Sequence, residues 1–172
     1  MSTNWRLGDL LESNCDYICH QVNCMGKMGS GIAGQIKAKW PKVYSYYRQK
    51  CLSDPSGYIR PELLLGDIQI VALYDYDTEK NKQHVINMFS QEHYGYDGRR
   101  YTSYDAFWSC LGKIKDTVPK GSSIGFPRNI GCGLGGADWL VIETMIYQVL
   151  DGDFDVYFYS LEDDDDGLYT EK

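Results

Sequence analysis

The chain is 172 residues long, 43% hydrophobic and 14% aromatic, which suits one globular domain with a substantial core. No apolar run approaches the roughly 20 residues of a membrane span, and the polar start "MSTNWRLGD" does not read as a signal peptide, so a cytoplasmic protein with no membrane partner is expected. The net charge of −7 is concentrated at the end: residues 162–172 hold six acids and one lysine, leaving −2 on the rest, which argues against broad nucleic-acid binding.

In chain order, a short strand over Trp5–Leu7 is followed by a second over 16–21. The stretch "MGSGIAGQIKAKW" then places Gly29, Gly31 and Gly34 in a G-x-G-x-x-G pattern at the start of a helix. Ile32, Ile36 and Trp40 recur at i, i+4, i+8 until Pro41, after which "KVYSYYRQK" resumes as another helix. "DPSGYIRP" reads as a loop, and strands follow over 67–73 and 84–90. Beyond the polar loop "EHYGYDGRRY", Tyr104, Phe107, Trp108, Leu111 and Ile114 mark an amphipathic helix, with Thr102 and Asp105 offering a capping box. A strand over Ser123–Pro127 leads into "IGCGLGGADW", where Gly131, Gly133 and Gly136 repeat the glycine pattern. Ile142, Met145, Ile146 and Val149 predict the last helix, with Asp138 and Glu143 near its beginning, and the aromatic-rich 154–160 the last strand.

Strands alternating with helices predict an α/β domain over residues 1–161, with a mixed, about six-stranded sheet covered on both faces. The acidic tail, 162–172, has the composition of a disordered segment. A lone compact domain predicts a monomer. Six cysteines in a chain expected to be cytoplasmic argue for thiols rather than disulfides. Cys15, Cys19, His20 and Cys24 suggest zinc, but Cys19 and His20 are neighbours in a strand and point to opposite faces, so no metal or other cofactor is expected.

The glycines do not make a dinucleotide fingerprint. Six residues separate the strand from Met28, and the acid at the right distance, Asp54, lies in a turn. No G-K-[ST] follows either loop, which excludes a Walker A site. What survives is the physics: glycine lets backbone N–H groups approach an anion, and a helix N-terminus carries about half a positive charge. Two such helix ends are expected to flank one diphosphate.

"LGDLL", "ICHQVNCMGKMGSGIA", "INMFSQEHYGYDGRRYTSYDAF" and "FPRNIGCGLGGADW", in this order, resemble the macrodomain family over nearly the whole chain. The similarity is nearest to small stand-alone macrodomains that process ADP-ribose 1″-phosphate. It implies a three-layer α/β/α fold with an ADP-ribose cleft at the strand ends. It also implies Asp9, beside Leu10, as acceptor for the adenine amine, although an Asp after a strand equally caps a turn. Asn23 would face the distal ribose. Gly29, Ser30, Gly31 and Ile32 would form the first phosphate loop; Gly131, Cys132, Gly133, Leu134 and Gly135 would form the second, after Pro127. Tyr159 is either a ring against adenine or core.

One class of related hydrolases uses a Lys nucleophile and an Asp. The resemblance puts Gln91 and Gly135 at those positions, and neither can do that chemistry. Hydrolysis of ADP-ribose 1″-phosphate without a metal is therefore the leading expectation, with His20 as proton carrier and Asn23 orienting water or a ribose hydroxyl. A His packed in the interior is the equal alternative for His20. Cys24 and Cys132 lie near the loops without an activating His. The other readings are a non-catalytic ADP-ribose reader and a hydrolase of O-acetyl-ADP-ribose or protein-linked ADP-ribose.

Overall fold

The computed structural model describes residues 4–74 and 82–162. Six strands form one sheet: β1 (Trp5–Leu7), β2 (Tyr17–Asn23), β3 (Ile68–Ala72), β4 (His84–Gln91), β5 (Ser123–Pro127) and β6 (Asp155–Ser160). Their order is β1-β6-β5-β2-β4-β3, parallel throughout except for the antiparallel edge β3. Helices α1 (Gly31–Lys39), α2 (Pro41–Cys51), α3 (Pro61–Leu64), α4 (Tyr104–Thr117) and α5 (Trp139–Leu150) complete the described residues, with a 3-10 turn over Leu10–Glu12. This is the expected three-layer α/β/α arrangement with a mixed six-stranded sheet.

Period-two alternation sorts the strand side chains onto two cores. Ile18, Val22, Val85 and Phe89 point to α1 and α2, where they meet Ile36, Val43 and Tyr47. Cys19, Ile86, Met88, Phe126 and Phe158 point the other way, against Phe107, Leu111 and Ile114 of α4 and Ile142 and Ile146 of α5. Burying each such aliphatic or aromatic side chain contributes roughly 1.5–3 kcal/mol, so the two clusters hold the layers together.

Two details differ from expectation, and one expectation falls outside the described residues. The single turn α3 begins at the last residue of the expected loop "DPSGYIRP" and fills a stretch to which no element was assigned. The cap of α4 is Ser103, whose side chain accepts from the Ala106 N–H, and not Thr102. The tail lies, from residue 163 onward, outside the described residues. Among the described residues no helix is long and apolar enough to cross a membrane, and no group of three or more His, Cys, Asp or Glu side chains is placed to hold a metal ion.

Candidate functional site

Loops leaving the C-terminal ends of β2, β4 and β5 enclose an open cleft of about 620 Å³, in the size range and the place where α/β sheets bind ligands. Its first wall begins at Asn23. The β2–β4 register slips between Val22 and Asn23, which sets Asn23 opposite Gln91. Asn23 Oδ1 accepts from the Met25 N–H at 2.9 Å and lies 2.8 Å from the Tyr47 hydroxyl, while Nδ2 donates to the Lys27 carbonyl at 2.8 Å. The amide thus folds the 24–27 turn and brings Lys27 to the cleft. One Nδ2 proton is what remains to Asn23 for a ligand.

After this turn the chain enters α1. Gly31 has φ +56°, a left-handed conformation that glycine adopts without strain. Ser30 stands at the N-cap but makes no side-chain capping bond, and the first turn carries no acid. The leading N–H groups of α1 are therefore not taken by a cap, and the positive end of the helix opens on the cleft.

The second loop is built differently. It turns on itself, with Cys132 N–H donating to the Asn129 carbonyl at 2.8 Å, Gly136 N–H to Gly133 at 3.1 Å and Ala137 N–H to Gly131 at 2.9 Å. Helix α5 starts only at Trp139, and Asp138 closes it by accepting from the Leu140 N–H at 2.9 Å. The expectation of two open helix ends is corrected to one: an acid caps α5, so the second loop has only its own backbone N–H groups to offer. Room at Gly135 is nil. A Cβ there would stand 2.5 Å from both the Gly131 carbonyl oxygen and Thr102 Oγ1, so an Asp at this position would not fit.

The cleft gathers Asn23, Gly29, Ser30, Gly31, Ile32, Gln91, Pro127, Gly131, Gly133, Leu134 and Gly135 from the sequence-based set. It adds Gln21, Lys27, Ala33, Tyr94, Gly95, Tyr96, Arg128, Asn129 and Ile130. Of the additions, the exposed Tyr94 and Tyr96 lay in a segment quoted for its resemblance but not weighed residue by residue, and Lys27 sat inside the first motif. Two cations and no carboxylate line the cleft among the described residues.

Five sequence-based candidates lie elsewhere. Asp9 and Tyr159 share a second concavity of about 540 Å³ with Arg6 and Tyr157. Asp9 there caps the 3-10 turn, accepting from the Leu11 N–H at 2.9 Å, and Leu10 is buried in the core. Tyr159 packs partly buried against the α1–α2 core; its register partner Pro127 belongs to the cleft. Cys132 is half-buried outside the lining, its thiol pushed up to about 11 by burial and, secondarily, by Asp138. Burial likewise pushes Cys24 up to about 12, so neither thiol supplies a thiolate at neutral pH.

His20 is the largest departure. It is fully buried, and its Nε2 lies 2.6 Å from Asn87 Oδ1. Because Asn87 Nδ2 donates to Gln69 at 3.0 Å, Oδ1 is the acceptor and the imidazole proton sits on Nε2. Nδ1 is buried without a partner. A second proton would have to be placed there, away from water, and burial lowers the imidazole to about 4. His20 is thus a neutral interior histidine outside the cleft, not a proton carrier facing it. Its neighbours in alternation, Ile18 and Val22, carried that signal in the sequence.

The model described as Macro domain matches residues 19–146. The DNA ADP-ribosyl glycohydrolase of Mycobacterium tuberculosis is 27% identical over 139 residues, covering 81% of this chain and 36% of that protein. The chain therefore spans about a third of the length of such relatives. An ADP-ribose 1″-phosphate phosphatase of Meyerozyma guilliermondii is 30% identical over 112 residues, 59% of each chain. In three dimensions, the macrodomain of Mycobacterium tuberculosis DarG superposes with a TM-score of 0.69 at 25% identity, covering 92% of this chain and 97% of that one. With this match over most of its length, and with its two glycine loops at the sheet's C-terminal edge, the chain belongs to the macro domain family.

Proposed function

We propose that the cleft binds ADP-ribose and that the protein hydrolyses ADP-ribose 1″-phosphate to ADP-ribose and phosphate. The observation that carries the reading is the charge of the lining: two glycine loops, one open helix N-terminus and Lys27, with no carboxylate among the described lining residues. Such a surface favours a ligand with several negative charges. Lys27 follows β2, on the side of the sheet away from Asp9 and Tyr159, where a group on the distal ribose would lie. A phosphate there gains a cation that an acetyl ester would not use. The relative named as an ADP-ribose 1″-phosphate phosphatase supports the choice of substrate.

In this reaction water attacks phosphorus, the bond from phosphorus to the C1″ oxygen breaks, and that oxygen takes the proton that the attacking water gives up. Lys27 and the α1 N–H groups stabilise the charge on phosphorus, and the free Asn23 amide proton holds a ribose hydroxyl. The glycohydrolase relatives point to a different bond, but the Lys and Asp pair expected of one related class is not at its two positions here: Gln91 stands at the strand end and Gly135 has no space for a side chain.

A second reading follows from the same lining. Lysine, arginine and tyrosine are its ionisable side chains among the described residues, and no His, Cys, Asp or Glu stands beside them to carry a proton. This favours a protein that holds ADP-ribose without cleaving it. Phosphate release from ADP-ribose 1″-phosphate, measured with and without chelator, separates the two. Turnover that survives the chelator supports the phosphatase; no release under conditions where ADP-ribose binds calorimetrically overturns it in favour of the reader.

A further inference from the structure

We propose that Gln21 and Thr102 are positioning residues that fix the second glycine loop relative to the end of β4, and so set the affinity of the cleft for its ligand. This rests on the reading that the cleft binds ADP-ribose.

Neither side chain is explained by the core or by a helix cap. Thr102, almost fully buried at 2% exposure, donates its hydroxyl to the Gly131 carbonyl at 2.9 Å. Its backbone N–H donates to the Gly135 carbonyl at 3.0 Å. One residue therefore grips both ends of the second loop. Gln21 grips Thr102: its Nε2 donates to Thr102 Oγ1 at 2.8 Å and to Gln91 Oε1 at 2.6 Å. Ser90 completes the set by donating to Gln21 Oε1 at 2.7 Å. Every donor meets an acceptor in one consistent direction, so the network has a single arrangement.

The contact is also steric. A Cβ on Gly131 would come within 3.1 Å of both Gln21 Oε1 and Thr102 Oγ1, and a Cβ on Gly135 would lie 2.5 Å from the same hydroxyl. The loop rests on these two side chains as on a seat. Gln91 extends the network, since its Nε2 donates to the His93 carbonyl at 2.8 Å, where the segment bearing Tyr94 and Tyr96 begins. The second loop and the tyrosine wall of the cleft are thus held by one set of hydrogen bonds.

The test is ADP-ribose titration by calorimetry with wild type, Thr102→Val and Thr102→Ser. Thr102→Val keeps the volume and removes the hydroxyl; about tenfold weaker binding is expected, the equivalent of one ordinary hydrogen bond. Thr102→Ser keeps the hydroxyl and should bind within about twofold of wild type. Hydrogen exchange at Gly133, Leu134 and Gly135 should accelerate in Thr102→Val while the amides of β2 and β5 keep their protection, which a general loss of stability would not produce. Should Thr102→Val not fold, Gln21→Met carries the same expectation. Wild type that binds, beside a folded variant of equal affinity, overturns the inference alone. Wild type that shows no binding removes the reading of the cleft and the inference together.

Discussion

The two glycine loops have nearly the same pattern in sequence and opposite construction in space. The first runs straight into α1, whose N-cap Ser30 makes no side-chain bond. The second closes on itself, and α5 beyond it is capped by Asp138. A capped helix end has already satisfied the charge that would otherwise attract an anion, so only the first loop brings a helix field to the cleft. Beneath them the difference continues. On the β2–β4 face behind the first loop lies the neutral, buried His20–Asn87 pair; the second rests on Gln21 and Thr102, which do not titrate. Equal glycine spacing therefore does not mean equal electrostatics.

The largest effect should come from crowding the second loop. Gly135→Ala places a methyl 2.5 Å from a backbone oxygen and from the Thr102 hydroxyl. Urea unfolding should show roughly 2–4 kcal/mol lost, typical of a strained, overpacked site. A midpoint equal to wild type would mean that this loop yields readily and that its tight construction is not real.

Next is acid, which acts on the buried His20. Native His20 is lowered from 6.5 to about 4, so the unfolded chain binds the extra proton first. Stability is full above pH 6.5 and falls as pH drops toward 4, by roughly 3 kcal/mol at the lower end. His84 is lowered too, chiefly by burial, and works in the same direction. Unfolding midpoints between pH 6.5 and 5 isolate the imidazoles from the carboxylates, and His20→Gln should flatten that slope. An unchanged slope in the variant would show that His20 is not the group responsible.

The smallest effect compares open space with backbone strain. Neither Gly31 nor Gly133 has an atom within 4 Å of a would-be Cβ, but only Gly31 is left-handed, at +56°. Gly31→Ala is expected to cost about 1–2 kcal/mol and Gly133→Ala less than about 0.5 kcal/mol. Thermal melts that reverse this order would contradict the conformation of the first loop.

Much of the frame was legible because it is periodic. β1 and β5 begin and end where alternation and flanking polar residues put them, and the other strands shift by one or two residues. The four-residue α3 was not legible, since a single turn has no period to detect. At the site the glycines were readable as backbone features, but not the company they keep. Thr102 was read as a helix cap because a local partner three residues on was visible, while its true partner, Gly131, is 29 residues away. Gln21 and Lys27 were passed over for a related reason: a strand glutamine and a loop lysine have no distinctive spacing, and only the fold brings them to the cleft. Asp9 shows the reverse, since the cap that the sequence allowed is the role its side chain performs.

All six cysteines are free, and five are buried. Burial raises the thiol of each above its ordinary value, so the folded protein protects them from alkylation and oxidation. The rate at which a thiol reagent consumes each one is then a clock for the opening of its surroundings. Cys24 beside the first loop and Cys132 within the second place two such clocks where the molecule is most asymmetric. A ligand that closes both loops should slow the two, and one that engages a single loop should slow only its own.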